Sequence, residues 1–66
     1  MIVYQALYCS CIFESGYDTI SIHLSNEGAE KAMKLHKTKR IKENYNSEEE
    51  ALEYEAWAVK KVSVLK

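Results

Sequence analysis

The chain has 66 residues, 47% of them hydrophobic and 29% charged, with a formal net charge of −1. So much apolar content with so little net charge excludes a disordered segment, and two cysteines exclude the disulfide-dense scaffolds of small secreted domains. A domain this short buries only about 60% of its unfolded surface, so a metal, a disulfide or a second chain is the usual supplement.

In chain order, the opening "MIVYQ" has neither the basic n-region nor the apolar h-region of a signal peptide. No apolar run approaches the roughly 20 residues of a membrane span. No membrane association and a cytoplasmic location with reduced thiols are therefore expected. Residues 2–13 carry no charge and are rich in Ile, Val, Tyr, Phe and Cys, which predicts a strand. Glu14, Ser15, Gly16 and Tyr17 read as a tight hairpin turn. Residues 18–25, "DTISIHLS", alternate, with Ile20, Ile22 and Leu24 on one face and Thr19, Ser21 and His23 on the other. Ser25 or Asn26 caps a helix predicted over about 26–42, with Ala29, Ala32, Met33 and His36 along one stripe. The sequence "ENYN" breaks it. Ser47 with Glu50 forms a capping box, and a second helix is expected from 48 to about 56. Residues 57–65 predict a last strand of mixed phase, because Trp57 and Val59 share one parity and Val62 and Val64 the other; a bulge or a late helix end would reconcile them.

The pattern is a single α+β domain over 1–66, a small two-layer β-β-α-α-β unit. Its three-stranded sheet has the first strand central and the helices on one face. Centring the turn on Ser15-Gly16 sets Cys11 opposite Ile20, Cys9 opposite Ile22 and Leu7 opposite Leu24. Cys9 and Cys11 then share the helix-covered core and act as small hydrophobes. Cys9, Cys11 and His36 fall short of the four ligands of a structural zinc site, so no metal or cofactor is expected.

In that register Tyr4, Tyr8, Ile12 and His23 fall on the uncovered sheet face. An exposed aromatic patch there predicts self-association as a homodimer. Charge is segregated: the basic run 31–42 holds Lys31, Lys34, Lys37, Lys39, Arg40 and Lys42, and Glu43, Glu48, Glu49, Glu50, Glu53 and Glu55 come after it. These signs suit the helix dipoles. Lys37, Lys39, Arg40, Glu48, Glu49 and Glu53 are the residues expected to meet another protein. The nucleophile elbow, the P-loop, the dinucleotide fingerprint and His-Glu-x-x-His are missing from the sequence, so no enzyme is expected. The organisation resembles the short α+β proteins of phages and mobile elements, several of which bind and block a host protein. The resulting expectation is a non-enzymatic binding protein, most concretely a phage-type inhibitor of a bacterial defence system. The alternative is a small nucleic-acid-binding module that uses the basic run.

Overall fold

The computed structural model describes residues 1–64; Leu65, the end of the expected last strand, lies outside them. The elements are β1 (Ile2–Cys9), β2 (Asp18–His23), α1 (Asn26–Asn44), α2 (Glu48–Leu52) and β3 (Ala56–Ser63). Both neighbours of β1 run antiparallel to it, and the sheet order is β2-β1-β3. The α+β class, the element order and the central first strand are as the sequence predicts.

Both helices start where a serine can cap them. Ser25 Oγ accepts from the N–H of Gly28 at 3.1 Å and Ser47 Oγ from that of Glu50 at 3.3 Å. α1 runs slightly past the expected 42 and closes with the Tyr45 N–H on Ile41 O at 2.9 Å. α2 is shorter than expected. It ends at Leu52, and the Glu55 N–H still reaches Ala51 O at 2.8 Å before the chain extends into β3.

The hairpin register differs from the one a two-residue turn implies. Tyr4 lies opposite His23, Gln5 opposite Ile22 and Ala6 opposite Ser21; the pairing then shifts, so that Leu7 meets Thr19 and Tyr8 meets Asp18. Ile20 is the extra residue of a β-bulge. A two-residue hairpin turn needs positive φ, and none of the described residues, Gly16 included, adopts it. Instead β1 stops at Cys9 and the loop 10–17 folds on itself. The Ser15 N–H donates to Cys11 O at 2.8 Å, the Ile12 N–H to Tyr54 O at 2.9 Å, and Cys9 Sγ to Ser15 O at 3.2 Å. The last strand shows neither the bulge nor the late helix end offered for its mixed phase: α2 ends at Leu52, and β1 pairs with β3 without a break from Ile2–Ser63 to Cys9–Ala56.

The sheet faces are also exchanged relative to expectation. The Tyr8 ring packs against His36 of α1 at 4.6 Å and against its strand partner Trp57 at 5.4 Å. Strand alternation then places Tyr4, Ala6 and Tyr8, with Ser21, His23, Trp57 and Val59, under α1. Val3, Gln5, Leu7 and Cys9, with Ile22, Ala56, Ala58, Lys60 and Val62, occupy the opposite face. Two features favour this choice. Ala6 and Ala29 are fully buried, and such small side chains let helix and sheet approach closely. A covered tyrosine also needs a partner for its hydroxyl, and Tyr8 finds Glu55 on this side.

Among the described residues the buried apolar ones are Val3, Ala6, Cys9, Ala29 and Ala51, all small, with the three alanines fully buried. No helix among the described residues is long and apolar enough to cross a membrane.

Candidate functional site

Glu55, at the mouth of β3, is 1% exposed and is the centre of the polar contacts. Arg40 grips it with both ends of its guanidinium fork, Nε to Oε1 at 3.1 Å and Nη2 to Oε2 at 3.0 Å. The hydroxyls of Tyr8 and Tyr45 donate to the same carboxylate. Burial alone would raise the Glu55 pKa. The hydrogen bonds from Arg40, Tyr45 and Tyr8 and the Arg40 charge outweigh it, and the pKa falls to about 2. Burial and the Glu55 hydrogen bond push Tyr8 up to about 12. The Arg40 guanidinium lies over the Tyr8 ring, 5.6 Å from its centre. Next to it the Trp57 Nε1–H donates to His36 Nδ1 at 3.0 Å. Burial first, then the positive charge of Arg40, holds His36 below its ordinary pKa.

The carboxylate accepts four hydrogen bonds and is a weak base, and the imidazole lone pair at Nδ1 is already used. The cluster therefore acts as a lock between α1, β1 and β3. Its signal in the sequence is Arg40, the one arginine in a run of lysines. An arginine in such a run marks a demand for planar, two-pronged bonding that lysine cannot meet. Glu55 gives a weaker signal, as an acid on the same parity as Trp57 and Val59. In the sequence alone it reads only as one more negative charge.

The residues predicted for partner binding divide in two. Lys37 pairs with Glu48 at 2.7 Å and Arg40 with Glu55, so both cations tie α1 to the α2–β3 segment. Lys39, Glu49 and Glu53 are exposed, and no ion pair among the described residues includes them. The residues predicted for self-association do not stay together. Tyr4, Tyr8 and His23 lie on the helix-covered side, which corrects their assignment to the open face, while Ile12 is in the loop and 44% exposed. His23 neighbours Tyr4, not Tyr8, and its Nε2 shares a 2.7 Å hydrogen bond with Ser21 Oγ. Cys9 faces away from α1 and is buried, so the thiol and His36 lie on opposite sides of the sheet. Cys9 and Cys11 do not share the helix-covered core as expected: Cys11 is beyond β1, in the loop, and only half-buried. Among the described residues no group of three or more His, Cys, Asp or Glu is placed to hold a metal ion.

Two surfaces carry exposed apolar side chains. One is the sheet face away from α1, where Ile22 is 60% exposed, Leu7, Ala58 and Val62 are half-buried, and Val3 and Cys9 are buried. The other is the end where the loop 10–17 meets the α2–β3 connection. Phe13, the only phenylalanine, is 74% exposed there, and Ile12, Tyr17, Leu52 and Tyr54 are exposed too.

The fold and its contacts define a small two-layer α+β protein with a carboxylate-centred lock between helix and sheet. No family model, no curated protein and no solved structure matches the chain.

Proposed function

We propose that the chain is a non-enzymatic binding protein that self-associates and modulates another protein, most concretely as a phage-type inhibitor of a bacterial defence system. The observation that carries the reading is the apolar end. A loop pinned by the Ile12–Tyr54 and Ser15–Cys11 backbone hydrogen bonds nonetheless exposes Ile12, Phe13 and Tyr17. Ordered loops that hold aromatic side chains out to solvent lower the entropic cost of binding and supply hot-spot residues. Exposed Glu49 and Glu53 lie in the same segment as Tyr54 and favour a target surface rich in Lys and Arg. A cytoplasmic setting suits the two unbonded thiols. The Glu55 carboxylate, taken up by four hydrogen bonds, supports a role without catalysis.

The test is capture from bacterial lysate by tagged wild type and by a Phe13→Ser/Glu49→Lys/Glu53→Lys chain, then titration of the purified captured protein. A partner held by the wild type and released by the variant supports the reading. Identical captures overturn it.

The second reading is nucleic-acid binding. It is favoured by Lys31, Lys34, Lys39 and Lys42, which are exposed along α1. It is weakened by the internal pairing of Lys37 and Arg40. Phosphate contacts are strongest at low salt, so an absence of affinity for single-stranded or duplex DNA and RNA at low ionic strength removes it.

A further inference from the structure

We infer that the apolar end takes arginine side chains from a partner protein, between the rings of Phe13, Tyr17 and Tyr54 and the carboxylates of Glu14, Glu49 and Glu53. The inference rests on the reading of this end as the surface that meets another protein, and names the chemistry it takes from that partner.

The chain shows twice how it holds a cation. Arg40 lies over the Tyr8 ring, 5.6 Å from its centre, and forks onto the Glu55 carboxylate. Lys37 lies 6.0 Å from the centre of the Trp57 ring and pairs with Glu48 at 2.7 Å. In both cases an aromatic face and a carboxylate share one cation, the face through its quadrupole and the acid through its charge.

The apolar end repeats these ingredients without a cation. Phe13 is followed by Glu14 in the loop, and Glu53 by Tyr54 after α2; all four are exposed. Both pairs stand in turns, where neighbouring side chains are not thrown to opposite faces as in a strand. Tyr17 and Glu49 add a third ring and a third acid, both exposed. The Ile12–Tyr54 backbone hydrogen bond holds the two segments together. Among the described residues, no lysine or arginine lies over these three rings, and no ion pair includes these three acids. Residues 10–18 and 43–59 contain no lysine or arginine. The last turn of α1 brings one exposed cation, Lys42, next to the exposed Glu43.

The rings are also held in place. Tyr54 lies 13° from parallel to Tyr45, with the ring centres 6.5 Å apart, yet it is 51% exposed. The Ser15 N–H on Cys11 O closes the turn that carries Phe13. Little order is left to impose when a cation arrives.

Arginine is preferred over lysine for a geometric reason. A guanidinium is planar, so it can lie flat on a ring while its N–H fork meets a carboxylate. An ammonium is a compact, strongly hydrated point charge and gains less from a ring. A second copy cannot fill the site in this way, because Arg40 is the chain's only arginine and is committed to Glu55. The guanidinium must come from another protein.

The experiment titrates the whole chain with hexa-arginine and with hexa-lysine, both blocked at their termini. The ring signals of Phe13, Tyr17 and Tyr54 are followed by NMR at low ionic strength, where exposed charges are least screened. Saturable shifts at these rings, with hexa-arginine binding about fivefold tighter than hexa-lysine, support the inference. Phe13→Leu/Tyr17→Leu/Tyr54→Leu keeps apolar bulk at exposed positions and should remove the preference. Glu14→Gln/Glu49→Gln/Glu53→Gln should weaken both peptides about tenfold. Glu27→Gln/Glu30→Gln, at exposed sites on α1, should change neither by more than about twofold. Equal affinities for the two peptides in the wild type, shifts confined to other residues, or no shift at millimolar peptide overturn it. Should a variant fail to fold, the wild-type comparison decides. If hexa-arginine fails while a captured partner is still lost from the Phe13→Ser/Glu49→Lys/Glu53→Lys chain, the arginine assignment falls and the binding reading stands.

Discussion

Trp57 Nε1–H donates to His36 Nδ1 at 3.0 Å. An indole nitrogen only donates, so His36 must keep its Nδ1 lone pair and carry its proton on Nε2. Protonating the ring breaks this bond between β3 and α1. It also adds a cation beside Arg40 and Lys39, with Glu55 as the opposing charge. The folded-state pKa is therefore below that of the unfolded chain. Stability is level above the unfolded histidine value of about 6.5 and falls as pH drops through it, because the unfolded state takes the proton first. The slope of one proton is at most ~1.4 kcal/mol per pH unit. Urea unfolding monitored by Trp57 fluorescence at a series of pH values from neutral to mildly acidic should show this limb. His36→Gln should flatten it.

A second acid limb belongs to Glu55. Its folded pKa of about 2 is below the ordinary 4.5. Its contribution is complete above pH 4.5 and is lost as pH falls toward 2. The contribution is on the order of 3 kcal/mol. Arg40→Ala should remove much of this limb and cost about 3 kcal/mol, the low end for breaking a buried ion pair, because the Arg40 side chain is itself 38% exposed. Denaturant titrations of the variant at neutral and acidic pH read both effects.

Tyr8→Phe keeps the ring packing and removes one donor to Glu55. A loss of about 1.5–3 kcal/mol is expected for a hydrogen bond to a charged group. Alkaline titration monitored by ultraviolet absorbance gives an independent check. The component that ionises near pH 12 in the wild type should diminish in the variant.

The two thiols should differ in reactivity. Cys9 is buried and Cys11 is half-buried in the loop 10–17. Access governs thiol modification, so an aromatic disulfide reagent should label Cys11 first and reach Cys9 only as the chain unfolds. Equal rates for the two would contradict the placement of the loop over Cys9. Chelator should leave the thermal midpoint unchanged.

Replacing Ser25 by Ala removes the cap that accepts from Gly28. The expected cost is about 1 kcal/mol, read as a lower urea midpoint. Ser25→Asp should restore it, since Asp caps as well and adds a favourable charge at the helix start.

Much of the architecture was legible in the chain. Ser25 and Ser47 announce the two helix starts, because few residues can satisfy free backbone N–H groups there. The uncharged run 2–13 announces a strand flanked on both sides. The composition of 18–23 announces a neighbouring strand, but its alternation marks the other face as buried: Ile22 is 60% and Leu24 77% exposed, while Ser21 and His23 lie under α1. These are local or nearest-neighbour effects, and the sequence carries them residue by residue.

Which face of β1 meets α1 was not legible in the same way. Ala6 and Tyr8 on one parity and Leu7 and Cys9 on the other are all plausible core residues, so alternation cannot choose between them. The choice was made across the chain, by Arg40, Tyr45 and Glu55 closing around the Tyr8 hydroxyl and by His36 accepting from Trp57. The register likewise depended on Tyr54, whose carbonyl holds the Ile12 N–H and keeps the loop 10–17 from forming a tight turn. Propensity and capping determined which elements this sequence makes. Only the meeting of residues far apart in the chain decided which faces those elements bury and which they leave open, because a hydrogen bond to a buried charge exists only once both partners are in place.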